Sequence, residues 1–117
     1  MSNKDLVEKG LALVGKYNLA HHAAISFAEA WVIPFAGDAW HLQELDGPVV
    51  NIVVFADIIE ANRKKLMKSI KKNGATFVQE YCLHKETGLW IRAYEVDETA
   101  TWPRFYIKIM VPKEVPA

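Results

Sequence analysis

Six of the ten residues from Arg63 to Lys72 are basic, in a chain of 117 residues whose formal net charge is zero. A basic helix face is a contact surface for an acidic partner or a phosphate backbone. It is equally an ordinary solvated face. Spacing helps to divide the run. Glu60 and Lys64 form a favourable i,i+4 pair, and Lys71 and Lys72 fall in the last turn, where positive charge suits the helix dipole. Lys65 and Lys68 have no such local explanation. Lysine is also a less specific phosphate ligand than arginine, and this face carries no arginine.

Arg63 is the exception within the run. At about 100° per residue it projects between Ile70 and Met67, towards the core rather than away from it. A half-buried guanidinium needs an acceptor. A four-residue hairpin loop at 85–88 sets His84 against Leu89, Cys82 against Ile91, Glu80 against Ala93 and Val78 against Glu95. The expected partner of Arg63 is therefore Glu80 or Glu95, beneath the helix. This is either a structural ion pair or an anion site at a cleft edge.

The other face of that hairpin carries Phe77, Gln79, Tyr81, Leu83, Trp90, Arg92, Tyr94 and Val96. Aromatic side chains interleaved with arginine on a sheet stack bases or planar ligands when the face is open. Tyr81, Trp90, Arg92 and Tyr94 are the candidate ligand surface. The competing reading is a second core with these polar groups at its rim. Trp40 and Trp102 fall in or beside loops, where tryptophan either anchors an interface or caps a core.

Chemistry beyond binding has little support. His21, His22, His41 and His84 show no zinc-ligand spacing, and there is no Cys-x-x-Cys, nucleophile elbow, phosphate-cradling glycine loop or dinucleotide fingerprint. Cys82 is the only cysteine, expected mid-strand under the helix as a small hydrophobe. No metal and no cofactor is expected, and a non-catalytic role outweighs an enzymatic one.

These residues are held by elements with clear signals. Ser2 and Asp5 open a helix over 3–17 in capping-box spacing. Residues 19–33 are ambiguous, because the alanines favour a helix while Ile25, Phe27, Trp31 and Ile33 alternate. The alternation favours a strand over 25–33, ended by Pro34. Trp40–Leu45 and Val49–Phe55 flank Asp46-Gly47, a strong hairpin signal, and the second run is the most β-prone of the chain. Asp57, with Glu60 three residues on, caps a helix that Asn73-Gly74 ends. Strands over 76–84, 89–96 and 105–111 complete the order α-β-β-β-α-β-β-β. The expected fold is a two-layer α+β domain, an antiparallel sheet with two helices packed on it, as one domain over 1–117 with a loose tail from 112 to 117.

Apolar residues make up 51% and charged residues 24%, the balance of a globular chain rather than a disordered one. Residues before 61 carry eight acids against three bases, while residues 61–74 carry six bases and no acid. The charge is thus dipolar, which gives little support to sequence-blind nucleic-acid binding. A lone cysteine, no signal-peptide pattern and no apolar run of about 20 residues point to a cytoplasmic protein without membrane contact. The expected function is a small binding or regulatory protein acting through a protein partner, with homodimerisation as one form of it. Lys64, Lys65, Lys68, Lys71, Lys72, Trp40 and Trp102 are the partner-binding candidates. The alternatives are a nucleic-acid-binding accessory protein on the same lysine face, and a small-molecule binder or enzyme around Arg63.

Overall fold

The computed structural model describes residues 19–45, 49–99 and 103–113. The expected helix over 3–17, the turn at 46–48 and Trp102 lie outside them. The fold is α+β: five strands form one sheet, and the helical segments bury their apolar residues against one face of it.

Residues 19–36 are helical throughout, which overturns the expected strand over 25–33. The buried positions show why. Ala20, Ala24, Ala28, Val32 and Ala36 recur every four residues, with Ala23 and Phe27 beside them. Small side chains at that spacing let the helix lie close on the sheet. A strict repeat of four overruns the 3.6 residues of an α-turn. The backbone absorbs the excess in a π-helical stretch, Ala28–Val32, immediately before Pro34. Proline has no N–H to donate and crowds the preceding turn, so a widened turn suits that position. Pro34 therefore does not end the helix. The helix runs on to Ala36 and stops at Gly37, whose N–H reaches the Ile33 carbonyl at 2.8 Å.

The strands are β1 (Trp40–Leu45), β2 (Val49–Val54), β3 (Ala75–His84), β4 (Leu89–Val96) and β5 (Phe105–Pro112), in spatial order β1-β2-β5-β4-β3. β1 and β2 pair antiparallel, with Leu42 opposite Ile52. A lysine-rich helix, Glu60–Lys72, then carries the chain to the far edge. Two antiparallel pairings, β3 with β4 and β4 with β5, bring it back. Two reversals leave β5 parallel to β2, with Ile52 beside Ile107 and Val54 beside Ile109. The sheet is mixed, not antiparallel as expected, because a helical crossover connects β2 to β3.

Phe105, Ile107, Ile109 and Val111 share one face of β5, as their alternation predicts, and all join the core. Leu66 and Ile70 of the lysine-rich helix pack there with Val50, Ile52 and Tyr94. Each fully buried aliphatic side chain of this kind contributes about 1.5–3 kcal/mol. Gly74, at φ 110, allows the turn from the lysine-rich helix into β3 that a side chain would strain. The strand β5 reaches Pro112, and the Lys113 N–H donates to the Gly88 carbonyl at 2.7 Å. Residues 112 and 113 are thus tied down rather than loose.

Candidate functional site

The lysine-rich helix is amphipathic as its spacing predicts. Arg63, Leu66 and Ile70 are buried, while Lys64, Lys65, Lys68, Lys71 and Lys72 are exposed. Its start differs from expectation. Ile59 occupies the N-cap without a side-chain cap, and Asp57 stands exposed in the preceding turn. The Glu60–Lys64 pair forms at 3.6 Å, but both side chains are largely solvated, so it adds little. At the other end the Asn73 side-chain amide donates to the Ser69 carbonyl at 2.8 Å.

A groove of about 440 Å³ runs between this helix and the end of the first helical segment. Trp31 and Phe35 line one side, and Lys65, Lys68, Lys72 and Asn73 the other. Trp31 remains 38% exposed. No carboxylate lines the groove among the described residues. Trp31 and Phe35 were missed as site residues because the strand reading separates them. As helix residues they sit four apart, on one face. The π turn contains Trp31, and such turns recur at functional sites. Lys65 and Lys68, the two lysines without a local partner, are thus brought to an aromatic wall. Lys64 lines a different groove, and Lys71 lines neither. Trp40 opens β1 and packs half-buried against the core, so it is no loop anchor.

Arg63 is only 5% exposed, as its position predicts. Its partner is not the expected carboxylate. Nη2 donates to the Ala56 and Ile58 carbonyls, each at 3.0 Å, and Nε is buried without an acceptor. Burial pushes the Arg63 pKa down, and nearby Glu60 pulls it back up. Glu95 instead lies 4.0 Å from Arg104, which also reaches Asp97 at 3.3 Å. A second groove, of about 650 Å³, lies beside Arg63, with Ile58, Glu60, Met67, Val111 and Lys113 on its walls.

Glu80 is claimed by Arg92 because β3 does not keep the simple hairpin register. His84 faces Leu89, but Leu83 and Val78 are bulged out, so Cys82 meets Trp90 and Glu80 meets Arg92. A slip of one residue moves side chains to the opposite face. Glu80 and Cys82 therefore join Trp90, Arg92 and Tyr94, while Tyr81 moves opposite Ile91. Cys82 is exposed, not covered by the helix. Tyr94 is fully buried, and its hydroxyl accepts from Arg92 Nε at 2.7 Å. The Arg92 guanidinium lies 4.3 Å from the centre of the Phe77 ring and donates to Glu80 at 3.0 Å. Lys113 completes the cluster, bonded to Glu80 and 4.7 Å from the Trp90 ring. The open ligand surface of Tyr81, Arg92 and Tyr94, the alternative to a covered face, is not formed. Arg92 is consumed by a structural cluster.

Lys113 first, and then Arg92, hold the Glu80 carboxyl below its usual value near 4.5, against the upward push of burial. A depressed folded value stabilises the native state fully above the unfolded value, and the gain fades as pH falls through the folded one. Urea titrations across the acid range should therefore show wild-type stability dropping below about pH 4.5. Glu80→Gln should start less stable at neutral pH and lose less on acidification. Parallel acid limbs for the two proteins would contradict this account.

Among the described residues, no group of three or more His, Cys, Asp or Glu is placed to hold a metal ion. His41 is exposed and stacks on Phe55 with ring centres 4.9 Å apart. No helix among these residues is long and apolar enough to cross a membrane. Fold and surface together define an α+β domain with helices on one face of a mixed sheet and a basic, aromatic-walled groove between them. No protein-family model matches the chain, nor does any curated protein or solved structure.

Proposed function

We propose that the protein is a small, non-catalytic binding protein that takes an acidic, apolar-bearing segment of a protein partner into the groove between its two helical segments. The observation that carries this reading is the meeting of exposed Trp31 and half-buried Phe35 with Lys65, Lys68 and Lys72 in one groove that no carboxylate lines among the described residues. A half-exposed tryptophan supplies the anchor typical of interface hot spots. The lysines supply steering and selection for acidic segments. A partner of this kind and a single cysteine suit a cytoplasmic setting.

The test compares wild type with Trp31→Ala and with the double change Lys65→Glu and Lys68→Glu. Partners captured from the native host are identified, and their acidic segments are then titrated as synthetic peptides. Trp31→Ala should weaken peptide binding by about 30-fold, the effect of losing a hot-spot residue worth about 2 kcal/mol. The charge reversal should abolish binding at low salt. Unchanged affinity in both variants would remove this groove from the function.

Single-stranded nucleic acid is the second reading, since an aromatic wall beside lysines also stacks bases. Three lysines predict a slope of about −2 in log affinity against log salt. An oligonucleotide that binds with that slope, and displaces the acidic peptide, would favour it. A homodimer would use another surface, the exposed β3 edge. There Val78 and Leu83 are 49% and 50% exposed, but both are bulge residues. Bulges interrupt an edge and discourage strand-to-strand pairing, so we do not place self-association at this site.

A further inference from the structure

The groove beside Arg63 lies on the other flank of the lysine-rich helix and is independent of the Trp31 surface. Its charge balance is incomplete. Lys64 is offset by Glu60, and Lys113 shares Glu80 with Arg92. Arg63 has no carboxylate within ion-pair distance among the described residues. Both its hydrogen bonds are made by Nη2 to backbone carbonyls, which carry no net charge, and Nε is buried without an acceptor. A buried cation without a counter-charge is costly to the fold. Beside it, the first turn of a 13-residue helix has no side-chain cap, and a helix start favours negative charge. The remaining wall is apolar, from Ile58, Met67, Val111 and Pro112.

We propose that this groove binds a small organic monocarboxylate, with the carboxylate against Arg63 and an apolar body along Met67 and Val111. Arg63 is buried with no carboxylate paired to it among the described residues, and a single carboxylate would supply that pair. Glu60 on the rim weighs against a dianion such as phosphate. The apolar wall gives an aliphatic or aromatic body somewhere to go, which a bare inorganic ion would leave unused.

The experiment uses the full chain, isotopically labelled, with the Arg63 side-chain Nε–H and the backbone amides of 58–63 followed by NMR. Hexanoate is the probe, with hexylamine and inorganic phosphate as the comparison arms. Hexanoate should shift the Arg63 Nε–H saturably, with a dissociation constant in the low millimolar range expected of so small a ligand. Hexylamine should leave that resonance unmoved, and phosphate should bind at least about tenfold more weakly. Arg63→Met should remove hexanoate binding if it folds. If it does not fold, the Nε–H response of wild type decides. No saturable shift, an equal response to hexylamine, phosphate binding as tightly as hexanoate, or unchanged affinity in a folded Arg63→Met would each overturn the assignment.

Discussion

Tyr94→Ala should lower the unfolding free energy by about 4 kcal/mol, within the range found when a buried aromatic side chain is truncated. Globular domains hold only about 5–15 kcal/mol in all, so this variant sits near the edge of folding. Tyr94 is fully buried beside Ile107 and Phe77, on the face of β4 that the helices cover. Its ring meets Phe77 edge-on at 5.9 Å. Truncation therefore opens a cavity and also strips Arg92 of an acceptor. Tyr94→Phe separates the two effects. It keeps the ring and loses only the bond from Arg92 Nε. Because Arg92 is partly solvated, water can replace that bond, and the expected cost is about 1 kcal/mol. Urea melts of the two variants check the ratio. Equal losses would mean that the hydroxyl, not the packed ring, carries the stabilisation.

Arg63→Ala should cost about 3 kcal/mol, from two hydrogen bonds made by a charged donor at about 1.5 kcal/mol each. The bonds to the Ala56 and Ile58 carbonyls clamp the turn that leads from β2 into the lysine-rich helix. This helix start has no side-chain cap, and Arg63, which only donates, fixes the incoming chain rather than satisfying the helix's free N–H groups. Arg63→Met loses the same two bonds and the same charge but keeps most of the packing volume, so it should cost less than Arg63→Ala. Thermal and urea melts of both variants measure the difference. A larger loss for Met than for Ala would show that the packed stem contributes nothing to the stabilisation.

The sequence carried the strands well where their own residues determine them. Val49–Val54 reads as a strand because it is the most β-prone run of the chain, despite polar Asn51 within it, and 105–111 does so because its apolar residues alternate. The lysine-rich helix is equally legible, since one face is apolar and its C-terminal signal is Asn73-Gly74. Residues 25–33 misled because large side chains alternate there. The small ones, which decide how closely a helix can pack, recur every four. The bulges at Val78 and Leu83 left no signature at all, since one extra residue in an edge strand changes no propensity. Their effect was nonetheless large, because they turned Glu80 towards Arg92. Arg63 lacks a paired carboxylate for another reason: the helices cover the Tyr94 face of β4, opposite to the face that carries Glu95. Backbone carbonyls as acceptors for Arg63 were invisible for a simple reason: every residue has one. The basic half of the Trp31 groove was visible in Lys65 and Lys68. Its aromatic half followed only once the helix was known.

The strand that comes last in chain order occupies the middle of the sheet. β5 joins β2, more than fifty residues earlier, to the hairpin of β3 and β4. During synthesis, until Phe105–Pro112 emerges, β2 and β4 each present an open edge, and the helices have only part of their floor. Contacts of such long sequence separation fold slowly, and open strand edges in partly made chains invite misassembly. The chain is therefore most exposed to aggregation shortly before its own centre arrives, and a nascent-chain chaperone would find its longest window there.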